Sequence, residues 1–172
     1  MREIRFRGRR VDTGEWVFGY YFTDITGGYL HPEHGALEGR VCHFILDANM
    51  ENIEVIPETF GQYTGLRDCK RTEEYPEGQE IYEGDIVKLY NGAPGVVEWG
   101  EYRNEDCLEE REDFYRDCDG DERKEVGFYV RTKCCEYGID NMPHKWIEVI
   151  GNVWEDGDIL NDSKDTKNNK NN

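Results

Sequence analysis

Short runs of alternating apolar and polar residues dominate the chain, and Gly-rich turns separate them. EIRFRGRRV alternates apolar and charged side chains, and EWVFGYYF places Trp16, Phe18, Tyr20 and Phe22 on one face. A period of two is typical of β-strands, and the intervening DTGE has the composition of a tight turn. The first 22 residues therefore predict a β-hairpin.

The same alternation predicts more strands further along. VCHFIL and IEVI flank the turn DANMEN, and Pro57 is predicted to end the second strand because proline cannot donate a ladder hydrogen bond. PETFGQYTGLRD is then predicted as a loop. NGAPG suits a hairpin between DIVKLY and VVEW, and VGFYVRT and WIEVIGNVW complete the set. Such strands without βαβ alternation predict an all-β barrel or roll.

Two segments depart from this pattern. The acidic insertion, about residues 104–124, has a candidate N-cap at Asn104 and an apolar stripe that ends before Gly120. It is compatible with a short helix and equally with an irregular segment. The tail at 157–172 is polar, has no large apolar residue after Leu160, and is predicted to be disordered. The β domain is expected to span residues 1–156.

The net charge and its distribution along the chain limit the classes of binding partner. The net charge of -17, from 38 acidic and 21 basic residues, argues against indiscriminate binding to nucleic acid. The charges are uneven, because five arginines crowd the first ten residues and thirteen acids lie between Glu98 and Glu125. These opposite patches predict association in which the Arg-rich first strand of one subunit meets the acidic block of another.

No stretch approaches the length of a membrane span, and no apolar region follows the basic N-terminus. The expected location is therefore cytoplasmic, with six reduced cysteines.

Enzymatic chemistry has little support in the sequence. The only serine, Ser163, lies in the polar tail, and no dinucleotide or phosphate-loop motif is present. Cys42 and His43 are neighbours on a predicted strand, so their side chains point to opposite faces and cannot form a dyad.

Metal sites are also weakly indicated. His31, His34, Cys42 and His43 gather four donors, but the spacing is unlike common zinc sites and loop histidines are favoured. The acidic run at 117–122 lacks two oxygens that a calcium loop requires, which favours a solvated turn. We predict no catalytic, cofactor-binding or metal-binding residue, and no cofactor.

The Glu-Gly-Asp corner at residues 83–85 and a set of aromatic residues can each be interpreted as structural or as functional. In the Glu-Gly-Asp corner, Gly84 is expected to adopt a positive φ and Asp85 to accept hydrogen bonds from nearby backbone amides. A set of aromatic side chains is expected in the core, although an exposed cluster that grips a peptide or a base is the alternative. The set comprises Trp16, Tyr20, Tyr21, Trp99 and Tyr102.

Four landmarks in fixed order resemble one family. They are REIRFRGRRVDTGEWVFGYY, VIPETFGQYTGLRD, IYEGDIVKL followed by GVVEW, and IEVIGNVWED. Together they are similar to the YopX family of phage and prophage proteins and cover most of residues 2–156. The resemblance implies a mainly β fold with an SH3-like barrel and a phage or prophage origin, with no established activity. Cys69 to Glu80 and the acidic insertion depart from the family's pattern.

Three functional hypotheses follow. The first is a non-enzymatic accessory protein that binds a protein partner or assembles with itself. The second is an acidic mimic of nucleic acid that occupies a host DNA-binding protein. The third, a metal-dependent enzyme, has the least support because no set of residues supplies a base, a nucleophile and an oxyanion donor together.

Overall fold

The structure is a computed structural model, and the part of the chain it describes comprises residues 3–30, 37–103, 124–133, 135–141 and 146–161. The fold is mainly β, as predicted. The chain divides into two compact units, Met1–Gly65 and Leu66–Asn172. Among the described residues, no helix has the length and apolar content needed to cross a membrane.

Four antiparallel strands of the first unit form a closed sheet. Each strand pairs with the next, and the first also pairs with the fourth, which is consistent with an SH3-like barrel. The predicted hairpin is confirmed, and Gly14 occupies its turn at φ +73°. The strands are β1 (Phe6–Arg10), β2 (Trp16–Leu30), β3 (Leu37–Leu46) and β4 (Asn52–Arg67).

The buried cluster inside this closed sheet is made of small and medium-sized aliphatic side chains. It consists of Val17, Ile45, Ile53 and Val55. Gly19 also faces inward, and a Cβ there would lie 2.0 Å from the backbone oxygen of Leu46. The alternating aromatic side chains of β2 therefore lie on the outer face.

Strand β4 is longer than predicted. It runs through Pro57 to Arg67, so the predictions that Pro57 ends the strand and that a loop follows are wrong. Arg7 pairs with Gly61 and Arg9 with Ile56, which leaves residues 57–60 opposite a single residue of β1. Proline is tolerated in such a bulge because no ladder donor is needed there.

The bulge is closed by a side chain. The Thr59 hydroxyl accepts a hydrogen bond from the Arg9 amide at 2.8 Å and donates one to the Ile56 carbonyl at 2.7 Å. Thr59 itself is buried. A side chain thus satisfies backbone groups that the regular ladder leaves unpaired.

The second unit contains a five-stranded antiparallel sheet in the order β10-β6-β7-β8-β9. The predicted hairpin at NGAPG is confirmed, with Gly92 at φ +82°. A further short strand, β5, follows β4 in the strand order of the first sheet. The strands are β5 (Glu80–Tyr82), β6 (Asp85–Leu89), β7 (Pro94–Arg103), β8 (Lys124–Arg131), β9 (Glu136–Gly138) and β10 (Ile147–Asn152).

One face of this sheet forms the main core. Short 3-10 turns cover Ile139–Asn141 and Gly157–Leu160. The predicted helix between Asn104 and Gly120, and the tail beyond residue 161, lie outside the described residues. The core consists of Ile81, Val87, Leu89, Val97, Phe128, Val130, Ile139, Ile147 and Val149.

Candidate functional site

The outer face of β2 and β3 carries an aromatic stripe, which we define as Phe18, Tyr20, Phe22 and Phe44. Tyr20 is 62% exposed and Phe18 is 45% exposed. Phe22 and Phe44 are cross-strand partners whose ring centroids lie 5.4 Å apart. These rings share one face because directly paired residues of an antiparallel sheet project to the same side.

The prediction that the selected aromatic side chains pack in the core holds only in part. Tyr102 is buried, whereas Trp16 and Tyr21 are half-buried. The prediction is wrong for Tyr20 and for Trp99, which is 50% exposed. Gly19 and its neighbours fill the inner face of β2, which turns Tyr20 outward. Trp99 makes an edge-to-face contact with the buried Phe128, and the two ring centroids lie 4.8 Å apart.

The arginines of the N-terminal segment, from Arg5 to Arg10, make contacts within their own unit. The Arg10 guanidinium donates to both carboxylate oxygens of Asp12 at 2.8 Å, and this hydrogen bonding lowers the Asp12 pKa to about 2. Arg9 Nε donates to the Gly14 carbonyl. Arg5 and Arg7 lie over the rings of Tyr63 and Trp16, at 5.3 and 4.8 Å from the ring centroids.

The candidate metal and thiol residues are only partly described. His31, His34 and the acidic run at 117–122 lie outside the described residues. Cys42 is buried, and the Nδ1 atom of its neighbour His43 lies 2.6 Å from the Tyr21 hydroxyl, a hydrogen-bonding distance. Within the described ranges, no group of three His, Cys, Asp or Glu side chains is placed to hold a metal.

The cysteines differ in redox state. Cys42 and Cys69 are free thiols, as predicted. Cys135 is disulfide-bonded, so the prediction of a reduced thiol is wrong for this residue. That prediction rests on the expected compartment, which carries no information about the geometry around a particular sulfur.

A tyrosine network joins β7 and β8. The Tyr102 hydroxyl donates to Glu125 at 2.6 Å and the Tyr129 hydroxyl donates to Glu98 at 2.7 Å. The two rings stack with centroids 5.1 Å apart. Burial, followed by the carboxylate hydrogen bond, raises each tyrosine pKa to about 12, so these hydroxyls are hydrogen-bond donors and poor general acids at neutral pH.

We expect Tyr102 and Tyr129 to ionise near pH 12, above the ordinary tyrosine value, when absorbance is followed during an alkaline titration. Because the folded-state pKa is raised, their contribution to stability is complete below pH 10 and is lost as the pH rises toward 12. Glu98→Gln should lower the Tyr129 pKa only partly, since burial remains. Ionisation of both groups near their ordinary value of 10.0 would contradict this assignment.

The third and fourth sequence landmarks, IYEGDIVKL and IEVIGNVWED, contact each other at the Glu-Gly-Asp corner. Gly84 has φ +81° and Asp85 Oδ2 accepts a 2.7 Å hydrogen bond from the Tyr82 amide, so both expectations for the Glu-Gly-Asp corner are confirmed. The Trp154 ring packs against Gly84, where a Cβ would lie 2.1 Å from Cη2. The Val153 amide donates to the Gly84 carbonyl at 2.9 Å. The third and fourth landmarks therefore fix each other.

A buried carboxylate ties the second landmark to the fourth. Asp68 is 2% exposed, and its Oδ1 accepts from the Gln79 amide at 2.9 Å. Its Oδ2 accepts from the Val149 amide at 3.1 Å, and the Cys69 amide donates to the Ile147 carbonyl at 2.9 Å. Residues 68 and 69 thus cover the outer edge of β10, which protects it from pairing with another chain.

A second exposed aromatic contact, which the sequence pattern does not indicate, lies in the second unit. Tyr90 and Trp146, which we call the aromatic pair, have ring centroids 4.9 Å apart at an interplanar angle of 43°. They are 70% and 40% exposed. Tyr90 ends the predicted strand DIVKLY and Trp146 begins the predicted strand WIEVIGNVW, but only the register of β6 against β10 brings the two residues together.

Comparison with known proteins gives one family. No curated protein matches the chain. The family model described as YopX protein matches residues 6–161, which is most of the chain and includes both units. The chain therefore belongs to the YopX family.

Proposed function

We propose that this chain is a non-enzymatic accessory protein of a phage or prophage, located in the host cytoplasm, which binds a protein partner through the aromatic stripe. The exposure of Tyr20 and Phe18 side by side on one sheet face is the observation that carries the proposal. Large contiguous apolar areas are uncommon on the surface of monomeric proteins and often mark interaction surfaces, and Tyr is enriched among the residues that dominate binding energy.

The closed sheet determines the mode of binding. All four strands of the first unit have hydrogen-bonded neighbours on both sides over part of their length. A partner cannot readily add a strand to such a sheet, so recognition depends on side chains that project from its outer face. The aromatic stripe provides such side chains.

The aromatic stripe replaces the Arg-rich strand as the proposed docking surface. Arg9 and Arg10 are engaged with Gly14 and Asp12 of their own hairpin, and Arg7 is buried. Guanidinium groups held in this way would have to lose these contacts to meet the acidic block of another subunit. Apolar rings that are already exposed need no such rearrangement.

The test compares Tyr20→Ser with Met50→Ser, a matched control whose side chain is 75% exposed in the same unit. Partner capture from lysogenic cells and sedimentation of the purified protein would measure hetero- and self-association. We expect Tyr20→Ser to weaken association about tenfold or more and Met50→Ser to leave it unchanged. Stability of both variants should stay within about 0.5 kcal/mol of the parent.

Equal association by both variants would contradict the role of the aromatic stripe. Capture of host DNA-binding proteins that Tyr20→Ser retains in full would favour the nucleic-acid mimic instead.

A further inference from the structure

The aromatic pair lies on the face of the second sheet that points away from its core. Leu89 and Ile147 are cross-strand partners and both are buried in the core. Tyr90 directly follows Leu89 and Trp146 directly precedes Ile147, and both rings are exposed and so lie away from this core. The same face carries Lys88 and Glu148, which pair directly across β6 and β10.

Two lysines and one glutamate lie beside the aromatic pair. The charge of Asp68 also acts on Lys70, but Asp68 is buried and accepts hydrogen bonds from two backbone amides. Lys70 Nζ lies 2.7 Å from Glu148 Oε1, and Lys88 faces the same carboxylate from the neighbouring strand. The hydrogen bond from Lys70, and to a lesser extent the charge of Lys88, lowers the Glu148 pKa. Two ammonium groups thus share one carboxylate, in a chain whose net charge is -17.

The edge of β10 nearest to this face is already occupied. The Ile147 carbonyl accepts from the Cys69 amide, and the Val149 amide donates to Asp68. An extended ligand therefore cannot readily join the sheet as an added strand at this edge. A polyproline II segment needs no ladder hydrogen bonds, and it docks its rings against exposed aromatic side chains.

We infer that the aromatic pair, with Lys88 and Lys70 beside it, binds an extended proline-rich protein segment that carries a carboxylate next to its prolines. The tilted rings of Tyr90 and Trp146 offer adjacent flat surfaces for pyrrolidine rings. Lys70 and Lys88 share the carboxylate of Glu148, so a further carboxylate on the ligand would be favoured by charge complementarity. This surface belongs to the second unit and goes beyond the function proposed for the aromatic stripe.

Three synthetic peptides test the inference by isothermal titration against the full chain. The first is proline-rich with an aspartate, the second replaces the aspartate with lysine, and the third keeps the aspartate but replaces the prolines with glycine and serine. We expect the first to bind and the other two to bind about tenfold more weakly, which corresponds to about 1.4 kcal/mol.

Substitutions in the aromatic pair and at Lys88 test whether the peptide binds at this surface. Tyr90→Ala and Trp146→Ala should each weaken the first peptide about tenfold, and Lys88→Glu should abolish the preference for aspartate over lysine. Trp146→Phe keeps a ring and should retain most of the affinity. Met50→Ala, which changes an exposed side chain in the other unit, is the control and should bind as the parent does.

Two results would overturn the inference. The first is the absence of saturable binding of the proline-rich acidic peptide to the parent protein. The second is equal affinity for the glycine-serine peptide, which would show that charge alone is recognised.

Discussion

Gly84→Ala is expected to lower the free energy of unfolding of the second unit by about 3 kcal/mol. The residue has φ +81°, and a side chain in this left-handed region costs about 1 kcal/mol. The new Cβ would also lie 2.1 Å from Trp154 Cη2 and 2.6 Å from Cζ3. Forcing the indole away from a packed position adds about 2 kcal/mol.

Gly92→Ala is the matched control for this prediction. Gly92 has nearly the same backbone angle, φ +82°, but nothing lies within 4 Å of the position that a Cβ would take there. It should therefore lose only the strain energy, about 1 kcal/mol. Urea unfolding followed by tryptophan fluorescence measures both variants, since Trp99, Trp146 and Trp154 belong to the second unit. Equal losses in the two variants would show that the contact with Trp154 contributes nothing.

Asp68→Asn should destabilise the same unit by about 2 kcal/mol. The two carboxylate oxygens of Asp68 accept hydrogen bonds from two different backbone amides, Gln79 and Val149. An asparagine has a single side-chain oxygen, so one amide would face an NH₂ donor with no acceptor. Leaving a buried donor unsatisfied costs about 1–3 kcal/mol.

Asp47→Asn provides the comparison for Asp68→Asn. Asp47 also accepts from two backbone amides, those of Asn49 and Glu51, but it is half-buried in a turn and uses the same oxygen for both. The substitution should change stability by less than about 1 kcal/mol. Hydrogen exchange gives a direct readout, because Asp68→Asn should expose the Gln79 or the Val149 amide to faster exchange. Unchanged protection of both amides would refute the assigned role.

Short stretches of the sequence are sufficient to predict where the turns lie. DTGE and NGAPG predict their hairpins because glycine supplies the positive φ that each turn needs, and Gly14 and Gly92 adopt it. The Glu-Gly-Asp corner is predictable for the same reason, since Gly84 and Asp85 act within a few residues of each other.

The incorrect predictions, about the buried face of β2 and the end of β4, concern features that depend on contacts between distant parts of the chain. Both faces of β2 contain large or apolar residues, and the inner one is identified only by the close approach of Leu46 to Gly19. The sequence around Pro57 predicts a strand end because the bulge that accommodates the proline depends on the pairing of β4 with β1. The aromatic pair joins residues far apart in the chain, so only the register of β6 against β10 reveals it.

The bulge in β4 also fixes the spacing between the two halves of that strand. Residues 57–60 carry the chain from the pairing of Ile56 with Arg9 to the pairing of Gly61 with Arg7. Losing one residue here would exchange the inward and outward positions of everything that follows, which would bring Gln62 inside and put Tyr63 in solvent. The length of the bulge is therefore constrained by register, whereas the identities that matter within it are the hydroxyl of Thr59 and the ring of Phe60, which packs against Phe6 and Tyr21.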